Sequence, residues 1–329
     1  MAIVVALLVA IVIGLPAEAA PPGEAGAVAE WPSYGGDPGG SRYTPIDDIS
    51  AENLSQLEIA WTYRTGDVAD GRGKFEETSA FELTPLVVDG SLFACTPFNR
   101  VIALDPETGA ERWSFDPGLD LTANYANQFV CRGVATWLDP DRGAGELCKR
   151  RIFTATNDAR LFALDAATGA RCADFGADGE VDLNPGVGEQ LWKGEYQVTS
   201  PPAVAGNLVV VGSAVSDNAR VDAPSGVVRA FDARSGAPRW AWDLSPPDGG
   251  DGARRSEETG YMLGTPNVWA QISVDEERGL VFVPTGNPSP DYWGGRRNGI
   301  DYYGSSVVAL RASSGEVVWR FQTVHHDLW

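Results

Sequence analysis

Four stretches of the 329-residue chain repeat one pattern: Ala103–Phe115 (ALDPETGAERWSF), Ala163–Phe175 (ALDAATGARCADF), Ala230–Trp242 (AFDARSGAPRWAW) and Ala309–Phe321 (ALRASSGEVVWRF). Each reads as the end of one strand, a tight turn and the start of the next strand. Asp105, Asp165 or Asp232 closes the first strand with a carboxylate that can accept from turn N–H groups. Thr or Ser follows, and then Gly109, Gly169, Gly236 or Gly315 supplies a left-handed backbone. Trp113, Trp240 and Trp319 stand four residues after the glycine. The second copy has Ala173 at that place, and the fourth has Arg311 where Asp is expected. The copies recur every roughly 60–80 residues, too long for one hairpin each. A further apolar strand pair lies upstream, as in Pro85–Ala94 (PLVVDGSLFA) and Pro202–Val211 (PAVAGNLVVV). Four strands per unit make a propeller blade, so the fold expectation is all-β. The repeated Trp is expected to pack between neighbouring blades. Residues 57–63 (LEIAWTY) read as an orphan outer strand whose blade partners are expected far downstream, beyond residue 329.

Composition agrees with a β architecture: 38 Gly, 22 Pro and 11 Trp are present, with two His, both near residue 326. The formal charge of −20 argues against nucleic-acid binding, which depends on Lys and Arg neutralising phosphates. Residues 2–15 are apolar without a break and precede Pro16 and Ala17-Glu18-Ala19. Two readings stand for residues 1–30: a signal peptide, although no Lys or Arg precedes the run, or the stub of a membrane anchor with its linker. Both place residues 31–329 outside the cytoplasm. Cys95, Cys131, Cys148 and Cys172 permit disulfides in an exported chain. Cys131–Cys148 is the expected pair, and four small buried thiols are the alternative.

Three opening stretches, Trp31–Asp37 (WPSYGGD), Ser41–Pro45 (SRYTP) and Ala60–Asp67 (AWTYRTGD), resemble the start of quinoprotein dehydrogenases. The repeat itself is similar to the tryptophan docking motif of that family. Tyr196–Pro202 (YQVTSPP), Gly286–Gly294 (GNPSPDYWG) and Thr323–Trp329 (TVHHDLW) resemble its membrane-bound glucose dehydrogenase branch, which includes quinate and polyol dehydrogenases. The resemblance runs from about Trp31 to Trp329. It implies an eight-bladed propeller, truncated here to about four blades, that binds pyrroloquinoline quinone (PQQ) and Ca2+ or Mg2+.

The resemblance also implies site residues. Asp217 and Asn218, in Ser216-Asp217-Asn218, and Asn287 match metal-binding positions, and hard cations take carboxylate and amide oxygens. Their other reading is turn chemistry, since Asp-Asn and Gly-Asn-Pro both form turns. Trp269 matches the ring on which PQQ stacks, and it lies outside the docking register. Arg132 matches an arginine facing the quinone oxygens, where reduction builds negative charge. Glu82, Thr199 and Ser213 match polar cofactor contacts, or are satisfied polar groups at strand ends. One departure stands out: Asn127–Cys131 (NQFVC) has no histidine where the glucose branch often carries one.

The implied reaction is oxidation of a sugar or polyol hydroxyl, glucose to gluconolactone first, with electrons passed to membrane ubiquinone. The implied location is the periplasmic side of the inner membrane. The implied carboxylate base directly follows Trp329, so the chain by itself is expected to be inactive. Asp327 occupies a different motif position, and His325 and His326 are expected to shape the loop. The alternatives are a non-catalytic propeller scaffold of the outer-membrane assembly type and a quinate/shikimate-type dehydrogenase. A lipoprotein scaffold needs a cysteine just after its apolar segment, and the first cysteine is Cys95.

Overall fold

The structure is a computed structural model that describes residues 30–72, 78–250, 253–297 and 299–328. The apolar run 2–15 and Trp329 lie outside the described residues. Among those described, no helix is long and apolar enough to cross a membrane.

The four repeats build four antiparallel four-stranded sheets. Blade 1 runs Leu86–Val88, Ser91–Cys95, Val101–Leu104 and Glu111–Phe115. Blade 2 runs Ala135–Leu138, Arg150–Ala155, Arg160–Asp165 and Glu180–Asp182. Blade 3 runs Ala203–Ala205, Leu208–Val211, Val228–Asp232 and Pro238–Trp242. Blade 4 runs Ser273–Asp275, Leu280–Pro284, Ser306–Arg311 and Val317–Gln322. The middle strands are buried on both faces, as in Val101–Leu104, whereas the outer strands alternate in exposure. That pattern suits sheets stacked face to face, with apolar cores between neighbours. The innermost strand of blade 3 packs beside those of blades 2 and 4.

The repeat works as its sequence implies in blades 1, 3 and 4, whereas in blade 2 the chain makes only isolated bridges and turns after Gly169 before its outer strand Glu180–Asp182. Asp105 Oδ1 accepts from the backbone N–H and hydroxyl of Thr108, both at 2.9 Å, and Asp232 caps its turn in the same way through Ser235. Trp113 lies over Gly169 of the next blade and donates Nε1–H to Ala166 O at 3.0 Å. Trp240 repeats this on Gly315 and Ala312 O at 2.8 Å. Residues 57–63 differ from expectation, because they join no sheet among the described residues. Trp61 nevertheless docks like its counterparts, over Gly109 with Nε1 donating to Pro106 O at 3.0 Å. Docking needs only the ring and the glycine, so it persists without a strand ladder.

Blade 2 lacks the docking tryptophan and joins blade 3 by charge. Arg234 Nε donates to Asp139 Oδ2 at 2.7 Å, and Arg151 Nη1 donates to Arg234 O at 2.6 Å. Both guanidiniums lie over the Trp137 ring, at 5.7 Å for Arg151 and 6.0 Å for Arg234. Gly176 N–H adds a bond to Ser235 O at 2.9 Å. The Arg234 hydrogen bonds hold Asp139 down to about 2, against the pull of burial. A carboxylate pKa depressed on folding adds stability above its unfolded value near 4, and that stability is lost as pH falls from about 4 towards 2. Arg234→Ala should lower stability at pH 7, because it leaves the buried Asp139 carboxylate without its main donor. Denaturant titrations from pH 7 to pH 2 should show a shallower acid decline in the variant than in the parent.

The cysteines correct the expected pairing. Cys95 bonds Cys131, and Cys148 bonds Cys172. Cys131 lies on Phe129–Cys131, beside the end of blade 1, whereas Cys148 faces the turn of blade 2. Neighbourhood in space, not in sequence, decides the partner. Loops of 36 and 24 residues correspond to about 4 and 3 kcal/mol of unfolded-state entropy respectively.

Residues 31–38 form a strap. Trp31 pairs with Val87 in the innermost strand of blade 1, at 2.7 and 3.0 Å. Pro38 O accepts from Val274 N–H in the innermost strand of blade 4, at 2.7 Å. The strap therefore ties the first blade to the fourth.

Candidate active site

Each innermost strand is entered from a loop that carries one of the expected residues: Glu82, Arg132, Thr199 and Trp269 precede blades 1, 2, 3 and 4. The connection between the second and third strands of a blade returns to the same end. In blade 3 it carries Asp217 and Asn218, and in blade 4 it carries Asn287, Asp291 and Ser305. Two short ladders lock these loops: Ser79–Phe81 parallel to Phe129–Cys131, and Tyr196–Gln197 antiparallel to Ala214–Val215. Between the loops lies a cavity of about 870 Å³ whose wall includes Arg132, Thr199, Asp217, Asn218, Trp269 and Asn287. Glu82 and Ser213 do not line it. Glu82 reaches it through an ion pair with Arg132 Nε at 3.0 Å, whereas Ser213 is buried with its hydroxyl unpaired.

Trp269 has 47% of its surface exposed, unusual for an indole among buried neighbours. Its carbonyl is held by the hydroxyl of Ser200. The Arg132 guanidinium lies 5.4 Å from its ring centroid. Arg132 spans the blades through its backbone: its N–H donates to Thr199 O at 3.1 Å, and its O accepts from Thr84 N–H at 3.3 Å. Yet its Nη1 is buried with no acceptor. An orphaned cationic donor beside an open aromatic face suits a flat anion.

Asp217 is the second unusual group. Burial, reinforced by the neighbouring Asp291, pushes its carboxyl up to about 6. Asn267 Nδ2 donates to Asp217 Oδ2 at 3.0 Å, but Asn267 Oδ1 is buried with no donor. Asn287 Nδ2 donates to Asp291 Oδ1 at 3.1 Å, and its Oδ1 accepts from Ser305 Oγ at 2.7 Å. Among the described residues no group of three His, Cys, Asp or Glu is placed to hold a metal ion. The oxygen donors here are instead a mixture of carboxylate and amide. A desolvated carboxylate and an orphaned amide oxygen fit a hard divalent cation.

Several wall residues escape sequence reasoning. Asn267 sits two positions before Trp269, and Asp291 and Ser305 sit in the blade 4 loop; a Pro-Asn or Pro-Asp step alone signals only a turn. Asp327 lines the cavity with its Oδ2 2.8 Å from Ser305 Oγ, while His325 and His326 lie outside its wall.

Residues 31–329 match the family described as "PQQ: Glucose/ethanol/alcohol dehydrogenase, beta-propeller domain". The chain is 38% identical over 315 residues to quinoprotein glucose dehydrogenase A of Acinetobacter calcoaceticus, covering 92% of this chain and 39% of that protein. It is 40% identical over 316 residues to quinate/shikimate dehydrogenase (quinone) of Acinetobacter baylyi, covering 91% and 38%. Among solved structures it is similar to the quinohemoprotein alcohol dehydrogenase of Comamonas testosteroni, with TM-score 0.69, 28% identity and coverage of 92% and 42%. The chain thus spans about two fifths of the length of proteins it matches almost end to end, and it belongs to the PQQ-dependent glucose/ethanol/alcohol dehydrogenase β-propeller family.

Proposed function

We propose that this chain supplies the cofactor-binding part of a PQQ- and divalent-cation-dependent dehydrogenase that oxidises a sugar or polyol hydroxyl. Glucose oxidation to gluconolactone is the first reading, and a quinate-type hydroxyl is the second. The reading places residues 31–329 on the periplasmic side as part of the propeller. Residues 1–30 are a signal peptide or a membrane-anchor stub, and membrane ubiquinone takes the electrons. The two disulfides support an oxidising compartment. The observation that carries the reading is the convergence on one cavity of the Arg132 Nη1 donor, the Asn267 Oδ1 acceptor and the desolvated Asp217. A non-catalytic scaffold gives no reason for such unpaired groups to meet.

In this reading PQQ would supply a quinone able to take a hydride from the carbinol carbon, while the hydroxyl proton goes to the carboxylate base expected directly after Trp329. Trp269 offers a face on which the cofactor stacks. Arg132, oriented by Glu82, would stabilise negative charge building on the quinone oxygens. Asp217, Asn267 and Asn287 would hold the cation, with Asn218 beside them on the wall. The Ser200 bond to the Trp269 carbonyl limits movement of that platform.

The test is cation-dependent cofactor binding, followed by Trp fluorescence. PQQ should quench the parent only with Ca2+ or Mg2+ present, and Asp217→Asn should lose the cation requirement along with at least about tenfold in affinity. Equal quenching with and without cation in both proteins would sink the reading. The pH dependence has a definite sign. A carboxyl raised on folding favours the folded state at low pH, so stability without cation should fall as pH rises from 4 through about 6. Ca2+ at a hundredfold excess over its Kd should add about 2.7 kcal/mol at pH 7, and less at pH 5. Thermal melts at the two pH values check this. A substrate panel on the full-length enzyme loaded with PQQ then separates glucose from quinate.

A further inference from the structure

We infer that Arg297 is a positioning residue: it fixes the His326–Asp327 segment against the cavity from beneath the blade 4 loop. The inference deepens the proposed function and rests on it for the reaction being positioned.

Arg297 is 1% exposed. Burying a guanidinium is unfavourable unless its donors are filled. Its Nε donates to Pro290 O at 3.1 Å, its Nη2 to Asp291 O, and its Nη1 to Asp301 Oδ1 at 2.8 Å and to Asp327 O. The three carbonyls belong to two separate stretches. Residues 290–291 adjoin Asn287 and bring Asp291 to the cavity wall. Asp327 belongs to the exposed stretch that follows the last strand of blade 4. One planar group therefore joins the cation-facing loop to the stretch on which the base is expected.

Three further contacts meet at the same place. Gly294 leaves room for the His326 ring: a Cβ there would lie 2.2 Å from His326 Cε1 and 3.2 Å from Leu328 Cδ2. His326 Nδ1 lies 3.4 Å from Asp301 Oδ2, and Asp301 is the carboxylate that Arg297 also binds. Ser305, at φ +44°, lies between Asn287 Oδ1 and Asp327 Oδ2 at 2.7 and 2.8 Å. Residues 323–328 belong to no sheet, so these contacts, and not a ladder, set where the segment lies. None of Arg297, Gly294 and Asp301 lines the cavity, so they act through the segment and not on a bound molecule.

Two variants approach the segment from opposite directions. Arg297→Gln removes the clamp, whereas Gly294→Ala removes no donor or acceptor and crowds the His326 ring. Both histidines of the chain lie in the segment, so selective 13C-histidine labelling, assigned through His326→Gln, reads it directly. In both variants the His326 ring resonance should move to its random-coil position, with PQQ and Ca2+ affinity changed by less than about threefold. In the PQQ-loaded full-length enzyme that carries this chain, kcat should fall about 10- to 100-fold with KM little moved, because orientation is lost and binding is not. Arg297→Lys should recover part of the loss. An unmoved His326 resonance in both variants would overturn the inference. So would loss of the cooperative unfolding transition in both, since Arg297 would then hold the fold and not the segment. A parent protein that neither binds nor uses PQQ, with the His326 response intact, sinks the functional reading and supports the positioning role.

Discussion

Gly226→Ala should destabilise the chain by about 3 kcal/mol and abolish PQQ binding, although no side chain of the cavity is altered. A Cβ at Gly226 would lie 1.9 Å from Pro266 O and 2.6 Å from Asn267 Cα. Gly212 stands in the same relation to the next residues, with its missing Cβ 2.2 Å from Val268 O. The stretch bearing Asn267 and Trp269 therefore lies directly on the blade 3 backbone, at two places where only hydrogen fits. Gly226 N–H also donates to Thr265 Oγ1 at 2.9 Å, which fixes the start of the stretch. Neither glycine has a positive φ, so the effect is steric and not conformational. A methyl group at 226 must push Pro266–Asn267 away, taking the Asn267 amide from Asp217 and tilting the indole. Gly206→Ala is the control: Gly206 has φ +59° and nothing near its missing Cβ, so it should cost about 1 kcal/mol and leave cofactor binding intact. Urea titrations give the stability differences, and fluorescence quenching by PQQ with Ca2+ gives the binding.

Trp113→Ala should cost about 3–5 kcal/mol. The ring packs between blades 1 and 2, with Phe93 at 5.9 Å on its own side. On the other side it lies so close to Gly169 that a Cβ there would sit 2.5 Å from Cε3. Truncation opens a void across a blade interface and leaves Ala166 O without its donor. Trp113→Phe keeps most of the packing and loses the bond, so it should cost nearer 1 kcal/mol. Trp319 provides the comparison. It holds the same register position but is 44% exposed, and no glycine of the described residues faces it. In a polypeptide of residues 1–329, Trp319→Ala should therefore cost under about 1 kcal/mol. Equal losses at 113 and 319 would mean that the docking glycine contributes nothing. Chemical denaturation of the three variants decides it.

The blades are legible because their signal is local. An Asp-x-x-Thr-Gly turn caps itself within five residues, and the strand pairs upstream need only their own alternation and turn glycines. Blade 2 shows where that reading fails. Ala173 marks a missing tryptophan, but nothing local says that Arg234, some 60 residues on, completes the interface through Asp139 and Trp137. The disulfides are illegible for the same reason, since Cys95 meets Cys131 only once blade 1 and the segment leading into blade 2 are placed. In the site, resemblance indicates the residues with motifs around them, such as Arg132, Trp269 and Asp217. It passes over Asn267, Asp291 and Ser305, whose roles depend on which loops meet. Ser213, which the resemblance sets against the cofactor, is buried with its hydroxyl unpaired and does not line the cavity.

The strap at residues 31–38 bears on the order in which this chain folds. Among the described residues it leaves the ribosome first, and its early partner at Val87 follows within one blade. Its other anchor, the Val274 amide, emerges only when the fourth blade begins. Contacts of such sequence separation slow folding, because the intervening chain must be ordered before they can form. Blades 1 to 3 must therefore stack during synthesis with the strap attached at one end only. An intermediate with its innermost strand edges open would be the form most exposed to misassembly and to chaperone capture. Closure at Val274 would mark the moment at which that exposure ends.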